Sequence, residues 1–352
     1  MNRTGPQESE PGIPKYEDVY CFSSLLAAFR KARRAKRGKG SEPAFYFDLE
    51  SNLLTLSREL LARSYTPDPY RYFHLRKTKE RLVSEASFPD RVVHHALVGT
   101  LEPTFERQFI NNSYACRKGK GTHLAIADAH RLTRQFRYFL KLDFRKYFNC
   151  INHTILLRLL AMHIKDEGIL WLCHRLMANA IVPDVDPTKG CGLPIGNLTS
   201  QFWANVYLNP LDHHCLRLDS VGAYLRYMDD MLLFADNKAA LWAAHKEVER
   251  FSSEGLLLEL KHEVTRVAPV TEGIPWLGFR VFPGTIRLDH QSKTRFIRNL
   301  NACCTRAEAG LLSDEAEVAR ATSLCGHVGH ANTLHLRRSV LQDGPWHPRR
   351  TS

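Results

Sequence analysis

The stretch AYLRYMDDMLLFAD, residues 223–236, constrains this chain more than any other. It reads as an apolar strand, yet it sets two adjacent carboxylates, Asp229 and Asp230, in its middle. Like charges in a poorly solvated site raise each other's pKa, and burying them uncompensated is costly. Hydrogen bonds, protonation or a cation must therefore offset them. The pattern predicts a β-hairpin with both acids at its tip, and it raises the question of a metal there.

A second apolar strand, in FRYFLKLDFRKYFNCI, ends at Asp143, some eighty residues earlier. If the two strands are neighbours in one sheet, three carboxylates converge, as a two-magnesium site for phosphoryl transfer requires. Mg²⁺ is a hard ion that takes oxygen ligands and shares them with substrate phosphates. Two such ions about 4 Å apart stabilise both the attacking and the leaving oxygen of an in-line displacement. The competing explanation is turn chemistry, since Asp is common at turns. A bare Asp-Asp pair does not separate the two.

Charge points the same way. Across 352 residues, 49 Lys and Arg against 37 Asp and Glu leave a formal net charge of +12, which favours a polyanionic partner. No apolar run reaches the roughly 18 to 20 residues that span a bilayer, and the start MNRTGPQESEPGIPK has no apolar signal region, so an intracellular chain without a membrane partner is expected. Nine scattered cysteines with no CxxC pair suggest reduced thiols, and Cys303 and Cys304 read as helix packing.

The chain is long enough for two or three globular parts. Residues 1–20 are expected to be disordered at least as far as residue 15, and a helix that turns densely basic follows over 23–40, a candidate RNA contact or solvated face. Leu49, Leu53, Leu56 and Leu60 share one helical face, with Asp48 as its N-cap. Residues 71–85 predict two basic strands joined by a tight turn, and 90–109 a helix. NNSYACRKGKGTHLAI places a Gly- and Lys-rich turn before another helix, a plausible phosphate site. Helices are expected over 154–181, in LTSQFWANVYLNPLDHH and near 238–252. Strands are expected near 256–267, then a hairpin in WLGFRVFPGTIRL turned by Pro283-Gly284, and helices from about 291. His94, His95, His213 and His214 read as packing or capping residues.

Four strings in this order, LKLDFRKYF, GLPIGNLTSQ, YMDD and WLGF, resemble motifs A, B, C and E of reverse transcriptases, and the resemblance runs from about residue 20 to 340. FPDRVVHHAL, SYACRKGKGTH and IGNLTSQ resemble the reverse transcriptases of diversity-generating retroelements. Most relatives carry Gln-Gly and Ser-Pro in motif B, where this chain has Ile195-Gly196 and Ser200-Gln201.

The resemblance implies an α+β, right-hand polymerase architecture of fingers, palm with antiparallel sheet, and helical thumb. The expected parts are N-terminal helices and fingers over 21–137, palm over 138–290 with a helical insertion at about 154–190, thumb over 291–345 and a basic tail over 346–352. Asp143, Asp229 and Asp230 would hold two Mg²⁺ ions, with the Phe144 carbonyl as a further ligand. Phe148 would be the aromatic gate that excludes a 2′-hydroxyl. Lys79 and Arg81 would clamp the triphosphate of the incoming dNTP, where a bidentate Arg suits phosphate oxygens. Gly196 and Gln201 complete the nucleotide pocket with Ile195, whose aliphatic chain cannot make the hydrogen bond a Gln would. Arg117, Lys118 and Lys120 would face template or nucleotide phosphates, and Gly278 and Phe279 the primer end. The family's Lys before Thr in motif D is replaced by Val264 before Thr265, with Lys261 and His262 nearby, so the general acid stays unassigned.

The implied function is an RNA-dependent DNA polymerase that copies template RNA into cDNA with errors at template adenines. Its partners would be the RNA, the primer or cDNA strand, and a small basic accessory protein, in the cytoplasm of a prokaryotic host. A group II intron-like or other bacterial reverse transcriptase is the first alternative, and a non-catalytic RNA-binding scaffold the second.

Overall fold

The computed structural model describes residues 13–34, 36–76, 80–180, 182 and 185–342. Helices α1 (Glu17–Tyr20), α2 (Phe22–Arg33), α3 (Glu42–Phe47) and α4 (Leu49–Leu61) come first, then strands β1 (Arg71–Arg76) and β2 (Glu80–Glu85) and helix α5 (Phe88–Glu106). Next are α6 (Thr122–Leu132), β3 (Tyr138–Leu142), α7 (Tyr147–Cys150), α8 (His153–Ala161), α9 (Glu167–Ala178) and α10 (Leu198–Leu216). Strands β4 (Ala223–Tyr227) and β5 (Asp230–Ala235) lead into α11 (Lys238–Leu256). Strands β6 (Arg266–Pro269), β7 (Ile274–Trp276), β8 (Phe279–Phe282) and β9 (Thr285–Leu288) precede α12 (His290–Glu308), α13 (Asp314–Val328) and α14 (Leu334–Gln342). Helices and antiparallel sheets mix along the chain, the α+β class expected.

Contacts divide the chain into two compact units, each built from separated segments. One takes the chain up to residue 117 with 143–215 and 247–262, and the other takes 118–142, 216–246 and the chain from 263 onward.

In the first unit three leucines of the predicted stripe, Leu53, Leu56 and Leu60, are buried on α4, and Leu49 at the helix start is half-buried. Asp48 stands at the N-cap position of that helix but makes no capping hydrogen bond. Helix α5 starts two residues before the expected position because the Ser87 hydroxyl accepts from the Asp90 N–H, satisfying an orphan donor of the first turn. Its residues Val92, Val93, Leu97 and Leu101 are fully buried, as is Leu25 of α2. Of the N-terminal stretch expected to be disordered, residues 1–12 lie outside the described residues, whereas residues 16–20 are ordered. Val19 is fully buried, the Tyr16 hydroxyl donates to the Leu60 carbonyl at 2.7 Å, and Tyr16 N–H donates to Asp166 at 2.7 Å. Burial of these apolar and aromatic groups outweighs the polar composition around them. The basic tail over 346–352 also lies outside the described residues.

In the second unit one sheet has the strand order β4-β5-β3-β6, with every neighbouring pair antiparallel. Met231, Leu232, Leu233 and Phe234 of β5 have no exposed surface, as befits a strand with a neighbour on each edge and cover on both faces. A second sheet, β7-β8-β9, contains the predicted hairpin, with Phe282 opposite Thr285 and Gly284 at φ 114° in its turn. Helices α12 to α14 close around Phe296, Leu300 and Val328. Between 256 and 267 the expected strands shrink to β6 and a single bridge, Phe144 to Leu260. The cause is that α11 runs on to Leu256 and the chain then turns through Leu257 at φ 53°.

Candidate active site

The two acids of the opening motif sit where the hairpin turns. Tyr227 of β4 is opposite Asp230 of β5, so Met228 and Asp229 form a two-residue loop, and Met228 adopts φ 54°. A side chain in that left-handed region costs energy, and the surroundings must hold it. Arg226 does so: fully buried in β4, it donates from Nη1 to the Met228 carbonyl at 3.0 Å. The Tyr227 hydroxyl accepts from Thr122 Oγ1 at 3.1 Å.

Strand β3 runs beside β5 with Leu142 opposite Met231. Asp143 follows Leu142 directly, so the strand end leading to it lies at the same sheet edge as the turn bearing Asp229 and Asp230. The neighbouring-strand arrangement that the sequence argument required is therefore present. Lys141 occupies the same face of β3 as position 143, because side chains alternate with period two. Its ammonium is 3.5 Å from Asp230 Oδ1 and donates to the Pro275 carbonyl at 3.1 Å.

Past β3, the chain around Asp143 pairs with the segment after α11. Lys261 N–H donates to the Asp143 carbonyl at 2.8 Å and Arg145 N–H to the Glu259 carbonyl at 2.9 Å. Those bonds flank the Phe144–Leu260 bridge, so the Phe144 carbonyl points away from that segment, as alternation in an antiparallel ladder dictates. The Lys261 ammonium lies 4.0 Å from Asp143 Oδ2. Phe148 follows on α7, half-buried, with its ring edge-on to Tyr147 at 5.5 Å and its carbonyl accepting from Leu193 N–H at 2.8 Å. The Tyr147 hydroxyl anchors this turn by donating to the Ala204 carbonyl of α10 at 2.6 Å.

Motif B is tied to the first hairpin, since Ser84 N–H of β2 donates to the Ile195 carbonyl at 2.7 Å. Gly196 has φ 115°, and a Cβ there would come within 2.7 Å of Val83 and 2.8 Å of the Ser84 carbonyl, so the glycine is demanded by close backbone approach. Gln201 accepts from the Cys116 thiol at 3.5 Å. Arg81 stands on β2 opposite Leu75, and Lys79 lies outside the described residues.

Two expectations meet a different geometry. The Arg117 guanidinium is turned inward: it pairs with both Glu106 oxygens and donates to the Ile110 and Ser113 carbonyls, leaving its side chain 5% exposed. It clamps the end of α5 instead of offering a phosphate its charge, because a bidentate carboxylate and two carbonyls already use its fork. Lys118, in contrast, is exposed. Phe279 is 1% exposed, and its ring lies 5.8 Å from that of His327 on α13, so it is buried against a helix and does not face a primer. Gly278, at φ 85° after Leu277 at φ 50°, makes the two-residue loop between Trp276 and Phe279.

The histidines behave as read. His94 is buried and its pKa is lowered to about 3, chiefly by burial and then by the nearby His95 and Arg91 charges. His213 bonds to the Gln108 carbonyl, and His214 stacks on Phe251. Sequence reasoning passed over Lys141 and Arg226. The signal available was a cation inside an otherwise apolar strand, each within three residues of an acid.

Residues 69–281 match the family described as reverse transcriptase (RNA-dependent DNA polymerase). This chain belongs to that family. Protein YkfC of Escherichia coli strain K12 is 26% identical over 273 residues, covering 66% of this chain and 72% of that protein. The group II intron-encoded protein LtrA of Lactococcus lactis is 27% identical over 173 residues, which cover 48% of this chain and 29% of LtrA. A putative COX1/OXI3 intron 2 protein of Saccharomyces cerevisiae is 25% identical over 54% of this chain and 23% of its own length. The chain thus spans under a third of these two intron-encoded relatives. No helix among the described residues is long and apolar enough to cross a membrane.

Proposed function

We propose that this reverse transcriptase extends a DNA primer along template RNA using Asp143, Asp229 and Asp230, and that it serves a diversity-generating retroelement. The observation that carries the first half is the register that sets the end of β3 beside the hairpin tip. The donor set is all oxygen, three carboxylates and the outward-turned Phe144 carbonyl, which suits Mg²⁺ and does not suit a softer ion. When bound, a pair of such ions would supply charge neutralisation for the attacking and leaving oxygens.

The chain's own residues supply position. Lys141 and Lys261 set an ammonium near Asp230 and near Asp143, limiting carboxylate repulsion until substrate arrives. Arg226 fixes the tip and Tyr147 fixes the turn carrying Phe148, and such preorganisation is where phosphoryl-transfer enzymes find most of their rate. Phe148, with its ring packed on Tyr147, is suited to exclude a 2′-hydroxyl. Lys79, Arg81, Lys118 and Lys120 are assigned to nucleotide and template phosphates, and Gly278 with its hairpin to the primer end. Primer extension on an RNA template with dNTPs and Mg²⁺ tests the reading. Wild-type chain should make cDNA and Asp229→Asn should not; equal product from both would overturn it.

The subfamily rests on Ile195, which cannot hydrogen-bond sugar or base, so one restraint on the nascent pair is missing. Ile195→Gln should lower misincorporation opposite template adenine, read by sequencing cDNA from a defined RNA. An unchanged error spectrum would remove retroelement mutagenesis, and with it the proposed basic accessory protein, from the reading. A group II intron-type role is the second reading, favoured by the match to LtrA.

A further inference from the structure

Helix α11 carries His245 and Glu249 one turn apart, and the turn after the helix brings His262 to them. One ligand atom from each lies within 4.8 Å of the other two, and His262 Nε2 is 3.3 Å from Glu249 Oε1. Zinc bonds of about 2.0 to 2.2 Å to nitrogen and oxygen put tetrahedral neighbours about 3.3 to 3.5 Å apart, so the spacing needs only small side-chain adjustment to close on an ion. Two imidazoles and one carboxylate are the donors that borderline transition ions prefer, and hard Mg²⁺ does not compete well for them. The i, i+4 pair on a helix presets two of the three ligands.

Burial is graded across the cluster. His245 is 8% exposed and its ring lies edge-on to Trp242 at 5.6 Å, whereas the Glu249 and His262 side chains are 40% and 58% exposed. One ligand is thus oriented by packing, and the solvent side is left for a water to complete the shell. We propose that His245, Glu249 and His262 form a site for a divalent transition ion of the zinc type, separate from the Mg²⁺ ions of polymerisation.

Its consequence follows from where His262 sits. The preceding residue, Lys261, donates its N–H to the Asp143 carbonyl, and Glu259 and Leu260 pair with Arg145 and Phe144. An ion held by His262 and α11 would staple this segment to the helix. If Asp143 acts as proposed above, the ion would steady the backbone of a catalytic acid from behind. The site itself does not depend on that activity.

The test uses the full chain stripped with chelator and titrated with Zn²⁺ against a chromogenic competitor, in excess Mg²⁺. One equivalent should bind, raise the melting temperature, and give visible tetrahedral bands when Co²⁺ replaces it. Glu249→Gln and His262→Gln, at partly exposed positions, should fold and each weaken Zn²⁺ at least about tenfold. Asp229→Asn should bind it as wild type does, which keeps this outcome distinct from failure of the polymerase reading. Absence of saturable Zn²⁺ binding in excess Mg²⁺ overturns the proposal, as does affinity unchanged in both variants or abolished by cysteine alkylation.

Discussion

Two hairpins of this protein, both assigned a part in the proposed nucleic-acid chemistry, are built in opposite ways. The β4–β5 hairpin is buried along β5, and a fully buried arginine pins its turn. The β1–β2 hairpin leaves Tyr72, Phe73 and Leu75 at 37%, 44% and 37% exposure, and is tied down by Ser84 to Ile195 and by the 2.6 Å pair of Glu85 with Lys36. The difference is one of task. On the proposed reading, carboxylates that are to hold metal ions must not move by even about half an ångström, which a strand locked into a core provides. A surface that meets long, variable substrates can leave apolar groups outside, where they are available to a partner.

That contrast can be broken first at its rigid side. Asp229→Asn should cost on the order of 10³-fold in primer extension while leaving the unfolding transition nearly unchanged, since the role proposed for this loop acid is in chemistry. Arg226→Met should act on the same turn through stability. Removing a buried charged donor leaves the Met228 carbonyl unsatisfied, at about 3 kcal/mol in denaturant unfolding, with activity falling as the turn relaxes. A Met228 turn that stays intact in that variant would show that the hairpin holds itself.

A third prediction concerns the helix that follows the exposed hairpin. His94 of α5 is neutral in the fold, with its pKa lowered to about 3. Between that value and the ordinary one near 6.5, the unfolded chain binds the extra proton and the native chain does not, so stability is present above pH 6.5 and lost as pH falls. A drop of about 1.5 kcal/mol from pH 6.5 to about pH 5 is expected, and His94→Gln should flatten it. The smallest effect belongs to the exposed strand. Phe73→Ser should change stability by less than about 0.5 kcal/mol yet raise KM for template-primer several-fold. If its stability cost exceeded that of Arg226→Met, the comparison between the two hairpins would be reversed.

Much of this was legible in the residues. Patterning alone located the β4–β5 hairpin, its acidic tip, the Leu53, Leu56 and Leu60 stripe and the Pro283-Gly284 turn, because alternation, helical period and turn chemistry are local properties written within a few residues. The order of four motifs carried the family. Arg117 was the misleading case: a Lys- and Gly-rich loop looks like a phosphate site, but only the fold could bring Glu106 and two carbonyls around that one guanidinium.

What tertiary structure alone decided is pairing at a distance. No local pattern says that β3 lies between β5 and β6, that Lys141 balances Asp230, that Ser84 holds motif B, or that His262 comes back to His245 and Glu249. Each depends on register between segments far apart in the chain, which is set by how the buried faces fit together and not by any residue's own preference. Sequence named the acids, and packing chose their neighbours.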